Sequence, residues 1–177
     1  ADFTVAIRLD AKDAEAYGMR GRVYDDNGEY DKAIADYTEA IRLNPDDVEA
    51  YMCRGADYGD QIEYDRAIAD YSEAIRLDPG NSVAYFNRGN NHHKNKDYDR
   101  AIADFTEVIR LNPTDDGAYA ERGSVFGKMG EYDKSIVDCT EALRLNPVDS
   151  LAHYHRGNAY ANKKDHDRAI ADYTEAI

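Results

Sequence analysis

The feature that most constrains this chain is a period of 34 residues. Tyr17, Tyr51, Tyr85, Tyr119 and His153 fall at that spacing. Each is followed by an Arg-Gly pair: Arg20-Gly21, Arg54-Gly55, Arg88-Gly89, Arg122-Gly123 and Arg156-Gly157. A second block reads YDKAIADYTEAIRLNP from Tyr30 and YDRAIADYSEAIRLDP from Tyr64, and it returns from Tyr98, Tyr132 and, cut short, His166. A unit of this size cannot bury its apolar face alone, so successive units must stack into a quasi-one-dimensional array.

Both blocks carry helical spacing. Tyr17, Gly21 and Tyr24 share one face of a first segment, and Ala33, Tyr37 and Ala40 share one face of a second. Asp31, Asp65, Asp99, Asp133 and Asp167 stand where a short carboxylate can cap the second helix. Pro45, Pro79, Pro113 and Pro147 close it. Gly28 and Gly130 suit the turn between the two helices, where Ile62, Lys96 and Lys164 stand in the other repeats. A glycine inside every first helix costs about 1 kcal/mol against alanine, which close approach of the partner helix must offset, with Ala33 or Ala40 opposite. The predicted fold is all-α, a solenoid of antiparallel helix pairs. Residues 1–13 read as the second helix of a preceding partial repeat, followed by units 14–47, 48–81, 82–115, 116–149 and a shortened 150–177.

Charge is uneven along the array. The net charge is −14; repeats one and two carry −5 each, repeat four −3, and repeats three and five are neutral. Such an acidic chain repels phosphate backbones and anionic lipid, which argues against nucleic-acid and membrane partners. No apolar run reaches the roughly 20 residues that span a bilayer. Cys53 and Cys139 lie too many repeats apart to pair, which favours a reducing compartment and a cytoplasmic location. The chain reads as a piece of a longer array. Its ends expose Phe3, Ile7 and Leu9 on one side and Tyr173 and Ile177 on the other, so head-to-tail self-association is one expected mode.

The repeat resembles the tetratricopeptide repeat (TPR). Repeat one meets every signature position with Tyr17, Gly21, Tyr24, Ala33, Tyr37, Ala40 and Pro45. Departures are His92, Val108, Ser135, Cys139 and His153. The resemblance implies a right-handed superhelix whose concave face, lined by first helices, holds a peptide or helical segment of a partner. Beside the packing positions, the groove stripe then carries Met19, Arg22, Met52 and Cys53, followed by Asn87, Asn90, His93 and Lys94. It continues through Glu121, Ser124 and Lys128 to Tyr154, His155, Asn158 and Asn162. The asparagines can donate to and accept from a peptide backbone at once.

Several sharper readings fail. The clamp by which one branch of the family grips chaperone C-terminal carboxylates needs cations and an amide where this chain has Met52, Ala56, Gly117 and Glu121. His92/His93 and His153/His155 are not spaced to share a helical face, so no metal site is expected, and His92 and His153 read as packing residues. The recurring arginines read as structural partners of Asp36, Asp70, Asp104, Asp138 and Asp172. Lys32/Asp36 and Glu39/Arg42 have surface salt-bridge spacing, and Asp57 and Asn91 are unusual polar insertions. Phosphate-loop and nucleophile motifs are lacking, so neither enzyme activity nor a cofactor is expected. The expected function is a protein-interaction scaffold or adaptor; the alternatives are the regulatory or substrate-recruiting arm of a larger enzyme and an end-to-end stacking module.

Overall fold

Each repeat folds into a pair of helices because apolar spacing, caps and turn residues agree on where the helices start and stop. The computed structural model describes residues 2–177; Ala1, the first residue of the expected N-terminal half-repeat, lies outside the described residues. Among the described residues there are eleven α-helices and no strand. They are α1 Asp2–Leu9, α2 Ala14–Asp26, α3 Tyr30–Leu43, α4 Val48–Asp60, α5 Tyr64–Leu77, α6 Ser82–Lys94, α7 Tyr98–Leu111, α8 Asp116–Lys128, α9 Tyr132–Leu145, α10 Ser150–Asn162 and α11 His166–Glu175. The chain divides into two compact units, one running to Asn91 and the other from His92 to Ile177.

The caps differ from the expectation. Asp31 and its equivalents lie inside the first turn of the second helices, where their charge favours the helix dipole but caps nothing. Side-chain caps form instead on the first helices. Asp13, Asp47, Asn81, Asp115 and Asp149 each accept an N–H from the residue three positions on, at 2.9–3.2 Å. On the second helices only Asp97 and Asp165 cap, while Glu29, Glu63 and Glu131 form no side-chain cap bond. The hairpin turn requires a left-handed residue. Gly28 and Gly130 supply it freely, whereas Ile62, Lys96 and Lys164 adopt φ of 66°, 63° and 64° at a steric cost.

The core is a row of small residues with one large ring set among them in repeats one, two and three. Ala33, Ala40, Ala67, Ala74, Ala101 and Ala142 are fully buried, with Tyr37, Tyr71 and Phe105 between them. These rings, not Ala33 or Ala40, face the helix glycines. A Cβ on Gly21 would stand 2.8 Å from the Tyr37 ring, and one on Gly157 2.8 Å from the Tyr173 ring. In repeat four Cys139 takes the ring's place, and its Sγ would lie 2.7 Å from a Cβ on Gly123. The glycine makes room for the bulky side chain of its own repeat.

The arginine–aspartate pairs are present and do more than neutralise charge. Arg20, Arg54, Arg122 and Arg156 each donate two hydrogen bonds to Asp36, Asp70, Asp138 and Asp172 at 2.7–2.9 Å. The carboxylates are only 5 % exposed. The remaining guanidinium nitrogen reaches back one repeat, from Arg54 to Thr38 (2.9 Å), Arg122 to Thr106 (3.0 Å) and Arg156 to Thr140 (3.2 Å). One side chain thus ties both helices of its repeat to the preceding one. Lys32 pairs with Glu29 and not with Asp36, which Arg20 already holds; Arg42 pairs with Glu39 as its spacing suggests.

Candidate functional site

Stacked hairpins leave gaps wherever a first-helix position facing its neighbour carries a small residue. Two cavities bordered by neighbouring first helices, one in each unit, gather residues of the groove stripe.

The cavity in the second unit measures about 310 Å³ and lies among α8, α9 and α10. Ser124, Tyr154, His155, Asn158 and Asn162, all read from the sequence as groove residues, line it together with Gly127, Lys128, Tyr132 and Ser135. Its amides are pre-oriented. Asn158 Oδ1 accepts from the Tyr173 hydroxyl at 2.8 Å, while Asn162 donates to the Asn158 carbonyl at 2.8 Å and accepts from Tyr132 at 3.3 Å. These bonds occupy the Asn158 oxygen and leave its Nδ2 hydrogens for the cavity. Ser135 lies in the wall, fully buried, and its Oγ has no hydrogen-bond partner. Ser124, read from the sequence as a groove residue, is only 6 % exposed.

His155 sits at the mouth, its ring edge-on to Tyr154 at 5.5 Å between centroids. Burial lowers its pKa, and the positive fields of His93 and Lys128 push the same way against Glu121 and Asp149. It is therefore neutral at pH 7 and available as both donor and acceptor. His93 Nδ1 lies 3.8 Å from Glu121 Oε2, so His93, Glu121 and His155 form one polar edge of the second unit.

Other expected groove residues lie elsewhere. Asn87 and Asn90 are half-buried on α6 in the first unit, and Lys94 is exposed at its end; none of them lines either cavity. Arg22 and Cys53 line the cavity of the first unit, about 260 Å³ among α2, α3 and α4, with Glu15, Gly18, Met19, Tyr37 and Glu49. Arg22 reaches across its rim to Glu49 at 2.6 Å. Tyr37 is 1 % exposed and its hydroxyl has no hydrogen-bond partner.

His153 is not merely a packing residue. Its Nδ1 is 3.2 Å from Asp172 and its Nε2 3.2 Å from the Pro147 carbonyl, so it joins the arginine–aspartate network. His92 is likewise buried near carboxylates, 3.8 Å from Asp97 and 3.9 Å from Asp104. No group of three or more His, Cys, Asp and Glu side chains among the described residues is arranged to hold a metal ion. Among them, too, no helix is long and apolar enough to cross a membrane. Sequence reasoning missed Ser135, Tyr132 and Tyr173 as site residues. The available signal was Ser135, a hydroxyl where repeats one, two, three and five carry Ala33, Ala67, Ala101 and Ala169.

Comparisons with known proteins agree with this architecture. The family profile described as tetratricopeptide repeat matches residues 82–115, 117–149 and 150–177, a second of that description matches 3–35, and one described as TPR repeat matches 21–61 and 58–96. No curated protein matches the chain. Among solved structures, a crystal structure of MamA is 28 % identical over 88 % of this chain and 91 % of its own, with a TM-score of 0.83. MamA from Desulfovibrio magneticus RS-1 is 24 % identical over 92 % of each chain, with a TM-score of 0.86. The crystal structure of YrrB, a TPR protein with an unusual peptide-binding site, is 24 % identical over 100 % of this chain and 91 % of that one, with a TM-score of 0.83.

Proposed function

The chain belongs to the tetratricopeptide repeat family of protein-interaction scaffolds, and from that premise we propose that it holds an extended partner segment in the cavity of its second unit. The observation that carries this reading is the convergence of Asn158 Nδ2, the unpartnered Ser135 hydroxyl and neutral His155 on one space of about 310 Å³. An amide, a hydroxyl and an imidazole match the alternating donors and acceptors of a peptide backbone. A buried hydroxyl without a partner costs about 1–3 kcal/mol, which a ligand bond returns. Tyr154, half exposed at the mouth, supplies apolar contact area. The partner is not a chaperone C-terminal carboxylate, because Met52, Ala56, Gly117 and Glu121 occupy the positions of that clamp.

The test is selection of binders from a displayed random-peptide library, followed by calorimetry of one selected peptide. Asn158→Ala and Ser135→Ala should each weaken it about tenfold, the loss of one hydrogen bond in a desolvated site. Affinity unchanged in both variants, with helicity intact, would reject this cavity as the site.

A further inference from the structure

The tips of the helix hairpins carry opposite charge in the two units. The first helix ends on Asp26 and Asp60 in repeats one and two, but on Lys128 in repeat four. The left-handed turn position holds Lys96 and Lys164 in repeats three and five. Asp26, Asp60, Lys96, Lys128 and Lys164 are all exposed, and none forms an ion pair among the described residues. The tip of repeat two also holds Ile62, at φ 66° and 70 % exposed. Glycine takes this position without strain in repeats one and four, so a β-branched residue here pays a steric cost. Ile62 fills no core in return. An exposed apolar side chain at a strained turn is explained by what covers it.

The second unit offers a matching seat. Beside the α8–α9 turn lies a shallow apolar hollow of about 420 Å³, lined by Arg122, Phe126, Asp133, Lys134, Val137 and Asp138. A smaller hollow of about 290 Å³ at Gly130 adjoins it through Asp133 and Lys134 and reaches Lys163. Val137 is 67 % exposed where the other repeats carry Ala35, Ala69, Ala103 and Ala171, and Phe126 stands where they carry Tyr24, Tyr58, His92 and Tyr160. Repeat four thus shows a larger aliphatic side chain and a ring without a polar atom at this place. The cations lining the hollows are neutralised locally, Arg122 by Asp138, Lys134 by Glu131 and Lys163 by Asp133. The excess charge of the rim comes from Lys128 and Lys164 at the neighbouring tips.

We propose that the Ile62 tip of one copy of this chain seats on Phe126 and Val137 of a second copy, with Asp60 beside that copy's tip lysines. A second copy is the occupant because the chain carries both halves of the contact. One is an apolar knob flanked by unpaired carboxylates, and the other an apolar hollow flanked by unpaired ammonium groups. Knob and hollow are different patches, so the contact is heterologous and passes from copy to copy. Ile62 and Val137 line neither cavity, so this contact stands or falls separately from the peptide-holding reading.

Sedimentation velocity of the full chain, from about 5 to about 500 µM, reads the contact. The wild-type protein is expected to shift from monomer to dimer and heavier species across that range. Two variants each remove one half of the contact. Ile62→Gly gives the tip the residue of repeats one and four, and Val137→Ala gives the hollow the residue of the other repeats. Each should weaken association at least about tenfold, the worth of burying those aliphatic groups. Circular dichroism confirms that both variants fold. An equimolar mixture of the two is the sharper test. The Val137→Ala copy keeps its tip and the Ile62→Gly copy keeps its hollow, so one contact forms and no second can. A heterodimer should therefore appear that neither variant makes alone. Unchanged association in either variant, or a mixture no heavier than its components, would overturn the proposal. So would a wild-type chain that stays monomeric throughout, since whatever covers the tip is then another protein.

Discussion

Replacing Asp57 by asparagine should stabilise this protein, and by an amount that depends on pH. Burial raises the Asp57 pKa from 3.8 to about 7, with the nearby carboxyls of Asp25 and Asp60 adding to it. A folded-state value above the unfolded one means that the native state binds the extra proton between them. Stability from this group is therefore greatest below about pH 4, falls as pH rises through the interval, and levels off above about pH 7. At about 1.36 kcal/mol per pH unit, the penalty is about 2 kcal/mol at pH 5 and about 4 kcal/mol at pH 8. The asparagine of the variant carries no titrating proton, keeps the side-chain volume, and can donate to Asp25 as the protonated acid does.

The measurement is urea unfolding of both proteins by far-ultraviolet circular dichroism at pH 5 and pH 8. The advantage of Asp57→Asn should grow by about 2 kcal/mol between the two. A constant difference, or one that shrinks as pH rises, would refute the assignment of a proton to Asp57 in the folded state. Cys53 and Tyr37, raised by the same burial, titrate above this window, and His155, lowered by burial, affects both proteins alike.

Two further substitutions test the fold's local logic. Ile62→Gly should raise stability by about 1 kcal/mol in thermal melts, because a β-branched residue at φ 66° pays a steric cost that glycine does not. Arg122→Lys should cost about 2 kcal/mol, since an ammonium cannot hold both Asp138 oxygens and Thr106 at once; a loss no larger than about 0.5 kcal/mol would show that the tie between repeats is dispensable.

What could be read without coordinates was whatever recurs with the period. The arginine–aspartate pairs were legible because both partners repeat in step, and a buried charge needs a partner wherever it recurs. The caps were misassigned for a physical reason. Glutamate reaches the backbone poorly, so Glu29, Glu63 and Glu131 hide the true start of the second helices, and the aspartates two residues later draw the eye. The glycines announced a close approach but not its partner, because the spacing of Gly21 and Tyr37 reflects a turn whose path only the fold decides. The residues of the groove stripe are divided between the two cavities and the surface outside them. Helix periodicity tells which side chains share a face, while which faces meet around a gap depends on how neighbouring helices cross.

Two polar positions stand out when the repeats are compared with one another. At the position of Asp57 the other copies carry Val23, Asn91, Val125 and Ala159, and at the position of Ser135 they carry alanine. Each copy is thus a control for the rest. Apolar residues suffice for packing at these positions, and Val125 is completely buried. Asp57 and Ser135 instead place unpartnered oxygens in the same environment, and Asp57 does so at a cost worked out above. Packing alone gives no reason for either. Ser135 lies in the wall of the second-unit cavity, where a ligand bonded to its hydroxyl accounts for that cost; Asp57 and Asn91 line neither cavity, and their buried polar groups answer only to their neighbours on the seam.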